Sequence, residues 1–283
     1  MPRPHPVRSF GRPQVFAHRG GSKLRPENTI PAFDNGLALG ADGLEFDVHL
    51  SCDGVVVVHH DKTLDRTTSG RGPLAALTAD ELSRVDAAYW FEPLESPPSP
   101  AGSSPAPARQ TAEHPFRGLG VGIPTLRDVL RRYSDVAIII ELKLNEPELA
   151  RKVIDEVRAV DAVDRVSLGS FGTRVLRAAR AYEPRLRTGS SREETRLALY
   201  RSWCRMPVRR PPYDEYQVPE TAGNTRVVSE RFVRYAHDAG CAVNVWTVDE
   251  EADMRRLLAW GVDGIISDRP DVAVTVASGW SRK

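Results

Sequence analysis

Apolar, β-branched runs recur along the chain and alternate with stretches whose apolar residues fall at helical spacing. Strand patterns lie at Val15–His18, Gly43–Val48, Val55–His60, Val136–Leu142, Arg165–Ser170, Leu186–Gly189, Tyr216–Val218, Ala242–Val248 and Gly264–Ser267. Helical patterns fill the gaps at Thr29–Leu39, Thr125–Tyr133, Glu146–Val160, Thr173–Tyr182, Glu230–Ala239 and Glu250–Trp260. Gly40, Gly240 and Gly261 follow three of these helices, where a left-handed residue ends a helix at least cost. Strand-then-helix units repeated in this way predict an α/β fold with a parallel sheet and outer helices. If the sheet closes as a (β/α)8 TIM barrel, nine strand candidates compete for eight places. The short Leu186–Gly189 or Tyr216–Val218 run is then expected to be irregular or peripheral.

One stretch breaks the alternation. Residues Glu92 to Pro115 hold seven of the 22 prolines in 24 residues, a composition that cannot bury a core. Tyr89-Trp90-Phe91 and Phe116-Arg117-Gly118 flank it and read as anchors. The stretch is therefore expected to be a loop within a small insertion after the third strand. A single domain is expected over 14–275, with tails at 1–13 and 276–283 and no internal repeat.

Composition narrows the function classes. Of the 283 residues, 41% are hydrophobic, enough for a sizeable core and too many for a disordered chain. Thirty-nine basic residues against 38 acidic ones give no overall basic excess to point to nucleic acid or an anionic membrane as principal partner. The cysteines Cys52, Cys204 and Cys241 are odd in number and form no CxxC pair, which favours a reducing compartment. The first residues are basic and proline-rich without an apolar signal core, and the longest apolar runs are far short of a membrane span. A cytoplasmic protein with no integral membrane segment is expected; the oligomeric state is not readable.

Candidate chemistry gathers at strand ends. Glu45 and Asp47 lie at i and i+2 of a strand, so both carboxylates share one face while Phe46 and Val48 take the other. Two acids on one face repel and lose hydration unless a positive charge sits between them, and a hard divalent cation would supply it. An exposed edge strand with its acids in water has the same spacing. Glu141 ends the run VAIII and Lys143 follows on the same face. Glu141 could complete an oxygen-ligand set while Lys143 meets an anion, or the two could form a simple ion pair. His18-Arg19-Gly20-Gly21 and His59-His60-Asp61 also close strands, and carboxyl ends of strands are where barrels build active sites. His18 and His60 suit proton transfer near neutral pH, and Arg19 suits bidentate phosphate binding. His49 and His59 are expected to be bystanders, and Asp53-Gly54 marks a turn.

The motifs HRG, PENT, ExD, HD and ELK occur in this order, followed by VNVWTVDEEADMRRLLAWGVDGIISDRPD. Together they resemble the glycerophosphodiester phosphodiesterase family from about Val15 to Val272. The resemblance implies a TIM barrel that hydrolyses glycerophosphodiesters to glycerol 3-phosphate and an alcohol. It places His18 and His60 on the acid/base pair and Arg19 on the phosphate-contacting arginine. Glu45, Asp47 and Glu141 fall on the ligands of one divalent cation, Mg²⁺ or Ca²⁺. Lys143 falls on a ligand-facing lysine. Glu27 of PENT is carried over as a substrate-side residue, with organisation of the loop before the first helix as its other reading. Trp246 falls on an aromatic near the substrate, with core packing as its other reading. The form FRGLGVGIPTL also resembles members acting on lysophospholipids, so a lysophospholipase D reading stays open. A non-catalytic barrel that binds glycerophosphodiesters is the alternative from a different class.

Overall fold

The computed structural model describes residues 12–93, 114–207 and 210–280. The first half runs β1 (Gln14–His18), α1 (Ile30–Ala38), β2 (Gly43–Leu50), β3 (Val56–Val58), α2 (Ala79–Arg84), α3 (Leu126–Arg132), β4 (Ala137–Leu142) and α4 (Pro147–Ala159). It continues with β5 (Val166–Gly169), α5 (Thr173–Tyr182), β6 (Arg187–Thr188), α6 (Arg192–Trp203), β7 (Glu215–Pro219), β8 (Thr221–Ala222) and β9 (Thr225–Arg226). The last units are α7 (Glu230–Asp238), β10 (Ala242–Trp246), α8 (Glu251–Ala259), β11 (Gly264–Ser267) and α9 (Pro270–Ser278).

Eight strands pair in parallel in the order β6-β5-β4-β2-β1-β11-β10-β7. The ring closes through a parallel bridge between Gly189 and Glu215. This is a (β/α)8 TIM barrel, with β2 central rather than at an exposed edge. The odd strand is not one of the short ones expected to drop out, since β6 and β7 both belong to the barrel. It is β3, which pairs antiparallel with β2 through Val48–Val58, His49–Val57 and Leu50–Val56. A turn at Gly54, with φ +73°, joins the two, and a parallel crossover needs a dozen or more residues.

Apolar side chains between strands and helices form two large clusters, one around Phe33, Phe46 and Ile140, the other around Tyr216, Phe232 and Ile265. Phe16, Ile139 and Ile266 pack inside the barrel. The excursion after β3 has a small core of its own, including Val57, Leu64, Leu74, Leu82 and Ile123. Its flanks are anchored as expected. The Arg117 guanidinium lies over Tyr89 at 4.2 Å and Trp90 at 5.2 Å, and Phe91 meets Phe116 edge-on at 5.7 Å. Of the Pro-rich stretch 92–115, residues 94–113 lie outside the described residues, as do 1–11 of the expected N-terminal tail and 281–283 of the C-terminal one. At the other end α9 runs on to Ser278 and buries Val276 and Ala277, past the expected boundary at 275. No helix among the described residues is long and apolar enough to cross a membrane.

Candidate active site

The loop after β1 shapes one wall of the site. Gly20 has φ +86°, and a Cβ there would come within 2.6 Å of the Ala32 backbone, so only glycine lets α1 approach. Arg19 (φ 51°) and Asn28 (φ 58°) also adopt the left-handed region without being glycine, a costly conformation that concentrates at functional sites. Thr29 then caps α1, its hydroxyl accepting from the Ala32 N–H.

Glu45 and Asp47 project from β2 into the barrel mouth, and Glu141 joins them from the neighbouring β4, where it is paired with Asp47. One carboxylate oxygen from each of the three lies within 4.8 Å of the others. Burial and the like charges of Asp47 and Glu141 push the Glu45 carboxyl up, although His18 opposes them. Burial likewise pushes Glu141 up against the pull of Lys143. Asp47 goes the other way, because Lys143 and Arg19 outweigh its burial. Lys143 Nζ sits 2.9 Å from Asp47 Oδ1 and 3.1 Å from Glu141 Oε2. Asp47 Oδ2 accepts from Asn28 Nδ2 at 2.9 Å and lies 3.3 Å from Arg19 Nε. A buried all-oxygen donor set in which burial and like charges push two of the three carboxyls up fits a hard divalent cation such as Mg²⁺ or Ca²⁺.

Two imidazoles flank this cluster, each clamped by a carboxylate. His18, ending β1, places Nδ1 2.6 Å from Asp268 Oδ1 and Nε2 3.8 Å from Glu45 Oε2. Burial favours neutral His18, but Glu45 and Asp268 outweigh it and push the pKa up to about 9. His60 places Nδ1 2.5 Å from Asp61 Oδ1. Its pKa is lowered by burial, helped by the Arg19 and Lys143 charges against the pull of Asp47 and Asp61. His60 is not on a barrel strand. The β2–β3 hairpin folds back so that the His59 N–H donates to the Asp47 carbonyl, which brings His60 to the level of the acids.

Glu27 faces two arginines. It accepts from Arg19 Nη1 at 3.0 Å and from both terminal nitrogens of Arg66 at 2.8 Å. Arg66 Nε also donates to Asp61 Oδ2 at 2.6 Å, so one guanidinium ties the partner of Arg19 to the partner of His60. Trp246, at the end of β10, meets Phe171 edge-on at 5.8 Å on the cavity wall. His18, Arg19, Glu45, His60, Glu141 and Lys143 all line one cavity of about 790 Å³. Its opposite side is largely apolar and includes Leu199, Tyr200, Trp203, Val218 and Trp246.

The residues marked in the sequence thus converge, with Glu27 behind Arg19 rather than on the cavity. His59 is buried, with Nε2 3.2 Å from the Thr63 carbonyl, and does not line the cavity. His49 Nε2 lies 3.0 Å from the His60 carbonyl, a structural contact to that loop. Asp61, Arg66 and Asp268 were assigned no role from sequence, nor was Asn28. Asp61 adjoins His60 and Asn28 adjoins Glu27, so proximity was a signal for both. Nothing local marks Asp268 as the partner of a residue 250 positions away.

Residues 18–272 match the glycerophosphoryl diester phosphodiesterase family. A glycerophosphodiester phosphodiesterase of Caldanaerobacter subterraneus subsp. tengcongensis is 32% identical over 267 residues, covering 93% of this chain and 96% of its own. The structure of a glycerophosphodiester phosphodiesterase from Agrobacterium tumefaciens superposes with a TM-score of 0.70 at 26% identity, over 92% of this chain and 99% of that one. An Oleispira antarctica phosphodiesterase, solved with the product sn-glycerol-3-phosphate, has a TM-score of 0.71 at 24% identity, over 95% and 98%. With its fold, its match over nearly the whole length and its buried carboxylate cluster, the chain belongs to the glycerophosphoryl diester phosphodiesterase family and is a phosphoric diester hydrolase.

Proposed function

We propose that the protein hydrolyses glycerophosphodiesters to glycerol 3-phosphate and an alcohol, with a divalent cation at Glu45, Asp47 and Glu141. The observation that carries this reading is two carboxylate-clamped imidazoles beside a buried acidic cluster in one cavity. When bound, the cation polarises the phosphoryl oxygens and offsets charge that builds in the transition state. Arg19 and Lys143 hold the phosphate through charge-assisted hydrogen bonds. Asp268 and Asp61 occupy the Nδ1 atoms of His18 and His60, which leaves each Nε2 for proton transfer.

At His18 two acids outweigh burial and favour the charged form, whereas at His60 burial, with the Arg19 and Lys143 charges, favours the neutral form against the pull of Asp47 and Asp61. His60 is accordingly the base that takes a proton from the attacking water as the water oxygen bonds to phosphorus. His18 is the acid that protonates the alcohol as its bond to phosphorus breaks. Support for the glycerol 3-phosphate product comes from the Oleispira antarctica relative of the same fold.

The apolar half of the cavity supports a second reading, a lysophospholipase D with an acyl chain against Leu199, Tyr200 and Trp203. One assay tests both. Glycerol 3-phosphate and choline are measured from glycerophosphocholine, and choline from lysophosphatidylcholine, each with Mg²⁺ or Ca²⁺. Release from glycerophosphocholine is the expected result; turnover of lysophosphatidylcholine alone would favour the second reading, and turnover of neither would overturn both.

A further inference from the structure

Helix α6 carries two apolar stripes where a surface helix ordinarily carries one. Ala198, Leu199 and Ser202 are buried against the barrel. On the outer side Leu197, Tyr200 and Trp203 recur every three residues, and Met206 continues the line just past the helix end. They are 60, 53, 44 and 45% exposed, far more than core-facing residues would be. Tyr200 and Trp203 meet edge-on at 5.4 Å. Phe171, 43% exposed, sits on the loop after β5 beneath the Arg192 guanidinium, 4.9 Å from its ring.

Arginines edge this patch. Arg192, Arg196 and Arg205 are exposed and form no ion pair with a described carboxylate. Of the acids of the first turn, Glu194 pairs inward with Arg180 at 2.7 Å, whereas Glu193 is exposed, accepts from the Thr173 hydroxyl and is outnumbered by the three arginines. Tryptophan, tyrosine and arginine beside aliphatic side chains are the set that settles at the boundary of headgroups and acyl chains. The near-zero charge of the whole chain hides this local excess, and binding to an anionic surface depends on local charge. The patch is also continuous with the cavity, because Phe171, Arg192, Arg196, Tyr200 and Trp203 line its mouth.

We propose that α6 and Phe171 form a docking surface for an anionic phospholipid bilayer and set the cavity mouth against the headgroups. The proposal uses the phosphodiesterase reading only to say why the mouth should face lipid, and it is tested without turnover. The full chain is sedimented with vesicles of phosphatidylcholine alone and with vesicles of equal phosphatidylcholine and phosphatidylglycerol. It should sediment with the mixed vesicles and not with the neutral ones, and release as salt rises. Leu197→Glu and Met206→Glu alter exposed side chains outside the cavity lining. Each should weaken partitioning roughly tenfold or more, since a charge replaces an inserted apolar group. Cooperative unfolding and glycerophosphocholine hydrolysis should stay at wild-type values in both. No binding to mixed vesicles, or equal binding by wild type and Leu197→Glu, would overturn the proposal. So would a dimer in analytical ultracentrifugation that Leu197→Glu dissociates, because the patch would then be covered by a second copy.

Discussion

Asp61→Asn and Asp268→Asn test the proton chemistry where the two histidines differ. Each substitution keeps the size of the side chain and removes the charge beside one Nδ1, at 2.5 Å for His60 and 2.6 Å for His18. A hydrogen bond to a charged group contributes about 1.5–3 kcal/mol net, and about 1.4 kcal/mol is a factor of ten in rate. Each variant should therefore lose about ten- to a hundredfold in kcat on glycerophosphocholine. The pH profiles should separate them. Removing either carboxylate lowers the pKa of its histidine. If His18 acts protonated, as proposed, the high-pH limb moves down in Asp268→Asn, and activity lost at neutral pH returns on acidification. If His60 acts neutral, as proposed, the low-pH limb moves down in Asp61→Asn, and no recovery follows a change of pH toward the alkaline side. A p-nitrophenyl leaving group needs little protonation and should rescue Asp268→Asn alone. Exchange of the two limbs would reverse the assigned roles, and wild-type rates in both variants would refute the pairing.

Chelation should abolish turnover, and Glu45→Ala, Asp47→Ala or Glu141→Ala should each mimic it; full activity after EDTA and exhaustive dialysis would refute the cation site. Deleting Pro97 to Pro107 should leave cooperative thermal unfolding intact, because Arg117 with Tyr89 and Trp90, and Phe91 with Phe116, pin the two flanks together. Glu215→Ala should cost about 3–5 kcal/mol, read as a fall in Tm of roughly 6 °C or more. Glu215 is buried and pairs with Arg187 at 3.2 Å, Asn244 at 2.8 Å, Gln217 at 2.8 Å and the Ser167 hydroxyl. An unchanged Tm would show that this network contributes little.

The strands that carry the acids were legible because alternation in GLEFDV separates Phe46 and Val48 from Glu45 and Asp47, and the structure keeps that separation. The direction of β3 was not read correctly, although Asp53-Gly54 held the signal. A valine run has the same pattern in a parallel or an antiparallel strand, and only the shortness of the turn decides between them. β6 has two residues, too few for a period, and takes its place through neighbours on both sides. Helix α6 was missed because its apolar residues occupy both faces, so no single stripe marks it. The carboxylate partners of His18 and His60 divide in the same way. Asp61 is adjacent in sequence, whereas Asp268 reaches His18 only when β11 closes beside β1.

Charge balance explains why these residues come as a set. Glu27, Glu45, Asp47, Asp61, Glu141 and Asp268 face Arg19, Arg66 and Lys143, three fewer permanent cations than acids. The proton on His18 removes part of the excess, which is why two carboxylates can hold its pKa near 9 despite burial. The rest is concentrated where Glu45 and Glu141 are both pushed up. A phosphodiester carries a negative charge and would meet that excess at the cavity floor. Arg19 and Lys143 cannot offset it alone, because each already faces Asp47. A divalent cation held by Glu45, Asp47 and Glu141 would remove the excess and let both side chains turn toward the phosphate. Chelation should accordingly abolish equilibrium binding of glycerophosphocholine as well as its turnover, and undiminished binding in EDTA would separate the acidic cluster from substrate recognition.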